Sequence, residues 1–220
     1  MTDLKLAIFD MDGLMFDTEK IMHNAYMEAG NLYNYKFDDS VFAKTTGASS
    51  KRRNKILIDT FGKDFPLEKV LSYKEKKFKD TIHKYGVPIK PGLIELMDFF
   101  KENKIKIAVA SSSKRSVVEY NVCHAGVYDY IDYIISGEEL KESKPNPEIF
   151  LKPCEFFNIN TDNAIVMEDS TNGIIAAIRA HIKPIWIPDL IQIPDDVKDK
   201  LFAQARDLSQ VIDIVKNKFK

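Results

Sequence analysis

Two aspartates two residues apart, Asp10 and Asp12, followed at once by Gly13, are the residues of this chain best suited to covalent chemistry. A carboxylate is ionised at neutral pH and can attack phosphorus without a base to activate it, leaving an aspartyl phosphate. A second carboxyl beside it can protonate a leaving oxygen and then take a proton from water. Two like charges this close also need a cation, and an all-oxygen donor set suits Mg2+. The same residue types are common where a strand ends in a turn. D-x-D alone does not decide between these readings.

The elements around the pair narrow the choice. Residues 4–9 form a short apolar run that reads as a buried strand, so the acids sit at its C-terminal end. Gly13 allows a sharp turn there. Further apolar runs at 105–110, 130–135, 164–167 and 184–188 predict four more strands, the last bounded by Pro184 and Pro188 and expected at a sheet edge. Three of the strands lead into polar groups. The run at 105–110 ends in Ser111-Ser112-Ser113, hydroxyls and backbone N–H groups that suit an anion and equally suit a helix cap. The run at 164–167 ends in Glu168-Asp169-Ser170-Thr171-Asn172-Gly173, where acids would complete a metal site. After the run at 130–135 comes Ser143-Lys144-Pro145-Asn146-Pro147, whose prolines give Lys144 a rigid setting, although a lone Lys before Pro is usually a solvated loop residue. Amphipathic helices are expected near 93–100, 114–125, after Pro147, from Asn172 onward, and at 208–219. Pro153 should kink or interrupt the helix it lies in. His181 reads as a helix-end residue in a left-handed conformation. Strands alternating with helices imply α/β architecture, a doubly wound parallel sheet, with all these loops meeting at one edge.

Between residues 17 and 88 the pattern changes to helical spacing, with starts at Asp38-Asp39-Ser40 and Ser49-Ser50 and Pro66 heading the last long helix. This reads as an all-helical insert, a cap domain at 17–88 on a core formed by 1–16 and 89–220, with linkers near 16–19 and 86–92. From 17 to 84 there are 14 Lys and Arg against 10 Asp and Glu, and elsewhere 18 against 23. A basic lid over an acidic base suits an anionic substrate. Individually, Lys74, Lys76, Lys77 and Lys79 read as a solvated helix face, and Lys51-Arg52-Arg53 as helix surface.

Taken together, D-x-D-G-x-x-x-D-T-E at 10–19, the strand ending in Ser111, the K-P-x-P at 144–147 and the E-D-S-x-x-G at 168–173 resemble the four motifs of the haloacid dehalogenase superfamily, in its β-phosphoglucomutase-like branch with a helical cap between the first two motifs. The resemblance implies a Rossmannoid core and a Mg2+-dependent phosphatase acting on a small phosphorylated metabolite such as a sugar phosphate. It implies that Asp10 is the nucleophile and Asp12 the acid and base. Ser111, Ser112 and Lys144 would bind phosphate, and Asp10, Asp12 through its carbonyl, Asp169 and Glu168 would hold Mg2+. Gly47, Ser50, Arg52, Lys114 and Asn172 are further candidates for contact with the substrate, and Ser113 and Lys114 match the mutase-like branch near its substrate's phosphate end. The rival is a β-phosphoglucomutase-type mutase. That branch commonly has a His twelve residues after the nucleophile, where this chain has Met22 with His23 beside it.

Composition excludes several other classes. The 220 residues are 45% apolar with a net charge of −1, which supports a real core and gives no bulk attraction to nucleic acid or anionic membrane. No apolar run reaches the ~20 residues of a membrane helix. Cys123 and Cys154 have no metal spacing and read as buried reduced thiols. The expectation is a cytoplasmic monomer whose partner is the small metabolite alone.

Overall fold

The computed structural model describes residues 4–45, 50–189 and 192–219. Six parallel strands lie in the order β3-β2-β1-β4-β5-β6: β1 Leu6–Phe9, β2 Lys106–Ser111, β3 Tyr133–Ser136, β4 Ala164–Glu168, β5 Lys183–Trp186 and β6 Ala203–Gln204. The order reverses beside β1, which creates the crevice at the carboxyl ends of the strands where doubly wound sheets bind ligands. Strand periodicity sorts β1 between two cores. Leu6 and Ile8 pack with Ala108, Ala110 and Val166 against Ile149, Phe150 and Ala177. Ala7 and Phe9 pack on the opposite face with Ile107, Val109 and Met167, against Leu96, Phe100, Val118 and Val211. Thus α5 (Leu93–Glu102), α6 (Arg115–His124) and α10 (Gln210–Lys218) cover one face, and α7 (Glu148–Phe157) and α8 (Thr171–Arg179) cover the other. The remaining short helix, α9, is Asp195–Lys198.

Four helices stand between β1 and β2: α1 Glu19–Tyr33, α2 Asp39–Thr45, α3 Ser50–Phe61 and α4 Leu67–Tyr85. They have a core of their own, built on Tyr26, Ala29, Phe37, Leu57, Phe65 and Val70. Asp38 caps α2, its carboxylate accepting from the backbone N–H groups of Ser40 and Val41. The two linkers run side by side. Asp17 N–H donates to the Pro88 carbonyl at 2.9 Å, Lys90 N–H donates to Met15 at 2.9 Å, and Phe16 pairs antiparallel with Ile89.

Several expectations change. β3 begins at Tyr133, not 130, and Tyr128–Tyr130 form a 3-10 turn. The Asp132 carboxylate takes the Ile107 N–H at 2.9 Å, so the ladder starts one residue later. β5 is not the edge, because β6 pairs outside it. Pro184 is tolerated there because its carbonyl, and therefore its missing N–H, faces the two-residue β6 and not β4: the Phe202 N–H donates to it at 3.0 Å. Pro153 is buried within α7, which continues through it to Phe157. Cys154 is buried as expected, but Cys123 is exposed in the last turn of α6. His181 has a φ of 55°, in the left-handed region as expected.

Candidate functional site

The first acid follows β1 directly, with its N–H donated to the Met167 carbonyl of β4 at 3.1 Å. Buried Lys144 donates to Asp10 Oδ1 and, at 2.7 Å, to Glu168 Oε1, with its ammonium 4.9 Å from the Phe150 ring centroid. The Lys144–Pro145 peptide is cis. Burial alone would lower the Lys144 pKa, but Asp10 and Glu168 outweigh it and the group stays charged.

Glu168 ends β4, almost fully buried. Its second oxygen accepts from the N–H and hydroxyl of Ser170 at 2.7 and 2.9 Å, while Ser170 caps α8 through the Gly173 N–H. The carboxylate lies so close to α8 that a Cβ at position 173 would stand 1.6 Å from Glu168 Oε1, so Gly173 is required. Asp169 follows, its carbonyl held by the Trp186 indole at 3.1 Å. A Cβ on Gly13 would meet Asp169 Oδ2 at 2.6 Å, and Gly13 has a φ of +89°, which favours glycine on both counts.

The second acid has partners of its own. Because β1 ends at Phe9, the loop and not strand alternation sets the Asp12 direction. Its Oδ2 accepts from Ser113 Oγ at 2.8 Å and Ser111 Oγ at 3.3 Å, and its Oδ1 from Thr18 Oγ1 at 3.2 Å. Ser111 Oγ also accepts the Ser113 N–H at 3.0 Å. Three hydroxyls therefore orient one carboxylate. In the sequence Thr18 stands in the first motif with no role of its own and Ser113 enters through the match to the mutase-like branch, because hydroxyl residues near a strand or helix end read as caps.

Asp10, Glu168 and Asp169 can each place one carboxylate oxygen within 4.8 Å of the others. The Lys144 ammonium bonds two of these acids and acts on the third. Burial, which outweighs Lys144, pushes the Asp10 carboxyl up to about 8, and Glu168 adds to the rise. Burial, then Glu168 and Asp10, raises Asp169 well above the usual carboxylate range. Excess buried negative charge on an all-oxygen donor set fits a hard divalent cation. A testable consequence follows for the metal-free protein. Asp10 binds its proton more tightly folded than unfolded, so stability falls as pH rises from about 4 to about 8. A cation competes with that proton. The melting temperature without metal should therefore drop between pH 6 and pH 8, and added Mg2+ should raise it more at pH 8. Scanning calorimetry with EDTA and with Mg2+ checks both signs.

The remaining candidates are dispersed. Ser112 is half-buried, its carbonyl 2.5 Å from where a Cβ of Gly137 would stand. Lys114 is exposed before α6, Asn172 is half-buried in the first turn of α8, and Arg52 is exposed on α3. Gly47 lies outside the described residues, and Ser50 opens α3. Met22 packs against the core, and His23 stacks edge-to-face on Phe42 at 4.7 Å.

The expected solvated face of α4 holds for Lys76 and Lys79, which make exposed ion pairs with Asp80 and Glu75. Lys77 pairs with Glu28 at 2.9 Å. Lys74 departs from it. It is half-buried, 5.8 Å from the Tyr26 ring centroid, and burial, then the Arg53 guanidinium, brings its ammonium down to about 8. Asp12 and Lys114 are among the charges that act on it. Arg53 is likewise half-buried, not plain helix surface. The signal was present in the spacing: Val70, Lys74, Phe78 and Ile82 form one i, i+4 stripe, in which the other three are buried.

Residues 7–187 match the family described as Haloacid dehalogenase-like hydrolase. The chain belongs to that family. It is 28% identical over 185 residues to a phosphorylated carbohydrates phosphatase of Thermotoga maritima, covering 83% of this chain and 84% of that protein. It is 26% identical over 214 residues to hexitol phosphatase B of Escherichia coli K12, covering 90% and 88%. Among solved structures, β-phosphoglucomutase of Clostridium difficile superposes with a TM-score of 0.81 at 23% identity, covering 98% and 97%, a likeness of fold. Among the described residues, no helix is long and apolar enough to cross a membrane.

Proposed function

We propose that this enzyme is a Mg2+-dependent phosphatase of small phosphorylated metabolites, sugar phosphates foremost, working through an aspartyl phosphate on Asp10. The observation that carries the reading is the division of labour between the acids: Asp10 faces Lys144 and the acidic cluster, and Asp12 is held separately by three hydroxyls. The named activities of the phosphatase relatives support the substrate class.

An oxygen of Asp10 attacks phosphorus as the bond to the ester oxygen breaks. Asp12, as the general acid, gives a proton to the departing alkoxide and releases the alcohol. Asp12, now a carboxylate, takes a proton from the water that attacks the phosphoryl group. The Asp10–phosphorus bond breaks, and inorganic phosphate leaves. Lys144 offsets charge on the nucleophile and on the phosphoryl oxygens throughout. Ser111, which ends β2, and Ser112, which follows it, bind that phosphate. Asp10, Glu168, Asp169 and the Asp12 carbonyl would hold Mg2+, which when bound supplies positive charge to the phosphoryl oxygens and favours ionised Asp10.

Residues 17–88 act as the cap, with 1–16 and 89–220 as the core. Lys74 and Arg53 contact the polar remainder of the substrate from the cap side. Lys74→Met should raise KM by about ten- to a hundredfold, the worth of a charged hydrogen bond, with a smaller effect on kcat. Lys76→Met, on the exposed face, should change neither. Steady-state kinetics on the best substrate decides, and an unchanged KM for Lys74→Met removes that role.

The function itself is tested by phosphate release from a panel of sugar phosphates and other small esters, with Mg2+ and with EDTA. Metal-dependent release with a clear preference is expected. Conversion of β-glucose 1-phosphate to glucose 6-phosphate with little free phosphate would establish a mutase instead.

A further inference from the structure

The chain leaving β5 brings a further acid close to Asp169. The Ile187 N–H donates to the Glu168 carbonyl at 2.9 Å, and Trp186 holds the Asp169 carbonyl, so the chain leaving β5 runs beside both acids of β4. It places Asp189 over Gly13. The same point at which a Gly13 Cβ would meet Asp169 Oδ2 lies 3.3 Å from Asp189 Oδ2, so the two carboxylates look at each other across one glycine.

Asp189 is fixed in that pose. Its Oδ1 accepts from Lys90 Nζ at 2.6 Å in a largely buried pair, the side chains 19% and 15% exposed. Lys90 belongs to the second linker of the helical insert, where its own N–H is bonded to Met15. Asp189 Oδ2 is buried and has no hydrogen-bond partner among the described residues. A buried carboxylate oxygen left without a donor is costly, and costlier when a second carboxylate faces it. The arrangement is stable when something with donors stands between the two. A hydrated divalent cation on the Asp169 side offers them, because Mg2+ keeps several of its waters.

We propose that Asp189 is a positioning residue of the cation site, accepting a hydrogen bond from the hydration shell of the ion held by Asp10, Glu168 and Asp169, with Lys90 fixing its orientation. This rests on the cation site described under the proposed function.

The test is direct calorimetric titration of the metal-free full-length protein with Mg2+, independent of turnover. Asp189→Asn should weaken Mg2+ binding about tenfold or more, the usual effect of losing an outer partner of a metal site. Asp17→Asn removes one charge from the other neighbour of Lys90, an exposed carboxylate 3.9 Å from its ammonium, and should change affinity less than about twofold. Asp189→Asn binding within about twofold of wild type, or weakening no more than Asp17→Asn does, overturns the proposal. Asp169→Asn is measured alongside. If it binds as wild type does, the cation site itself fails. If it loses binding while Asp189→Asn does not, only the role of Asp189 fails. Should Asp189→Asn not fold, Asp189→Ser carries the same comparison.

Discussion

Asp10→Asn is expected to lower turnover of any phosphate ester by about four orders of magnitude or more, the scale seen when a covalent nucleophile is removed. An amide is a poor nucleophile toward phosphorus, and two of the neighbouring carboxylates are committed elsewhere: Asp12 accepts from Ser111, Ser113 and Thr18, and Glu168 spends its oxygens on Lys144 and Ser170. The substitution should not unfold the protein. Asparagine is isosteric and its carbonyl still accepts from Lys144, while one charge leaves a cluster with more acids than bases. At pH 8 without metal the variant should melt at or above the wild-type temperature. Quenched-flow labelling adds a second reading, because phospho-enzyme formed by the wild type should be missing from the variant. Retained turnover would place the covalent step on another residue, or show that there is none.

Lys144→Met should be damaging in a different way. Lys144 is almost wholly buried and pairs with two carboxylates, so its removal takes the ion pair from Asp10 and leaves Glu168 held by Ser170 alone. Breaking a buried ion pair from one side costs about 3–5 kcal/mol, and methionine fills the space without replacing the charge. The metal-free variant should therefore be less stable than Asp10→Asn by several kcal/mol, with Mg2+ recovering part of the loss. Its kcat should fall by about three orders of magnitude, since a preorganised positive charge at the phosphoryl group is gone. Urea titrations with EDTA and with Mg2+, together with kcat at saturating Mg2+, separate the two effects. Near-normal stability would mean that the acids around Lys144 protonate readily in its absence. Near-normal kcat would mean that Lys144 serves structure alone.

The contrast between the two variants depends on placement that the chain shows early. Asp10, Ser111 and Glu168-Asp169 each stand at the end of an apolar run, and such runs become buried strands because burial on both faces demands uninterrupted apolar side chains. Parallel strands joined by helices then bring their carboxyl ends to one edge whatever the rest of the chain does. For this reason the apolar runs placed Asp10, Glu168 and Asp169 at strand ends and left room for a helical insert between β1 and β2, whereas Lys144 stood out only through the resemblance carried by its K-P-x-P.

Other features exist only in three dimensions. The spacing of α4 puts Lys74 on the stripe of Val70, Phe78 and Ile82, but what that stripe meets is fixed by the packing of α4 on α1 through Tyr26, Ala29 and Val70. Asp12 takes its orientation from Ser111 and Ser113, about a hundred residues away in sequence. The Lys90–Asp189 pair spans a similar distance, between a linker and a loop that carry no motif. The edge of the sheet passed from β5 to the two residues of β6, too short to leave a periodic signal. Local sequence determined which groups stand at the ends of the strands, because strand burial is written residue by residue. Tertiary structure alone decided which side chains turn toward them, because that depends on contacts between segments with no local trace of one another.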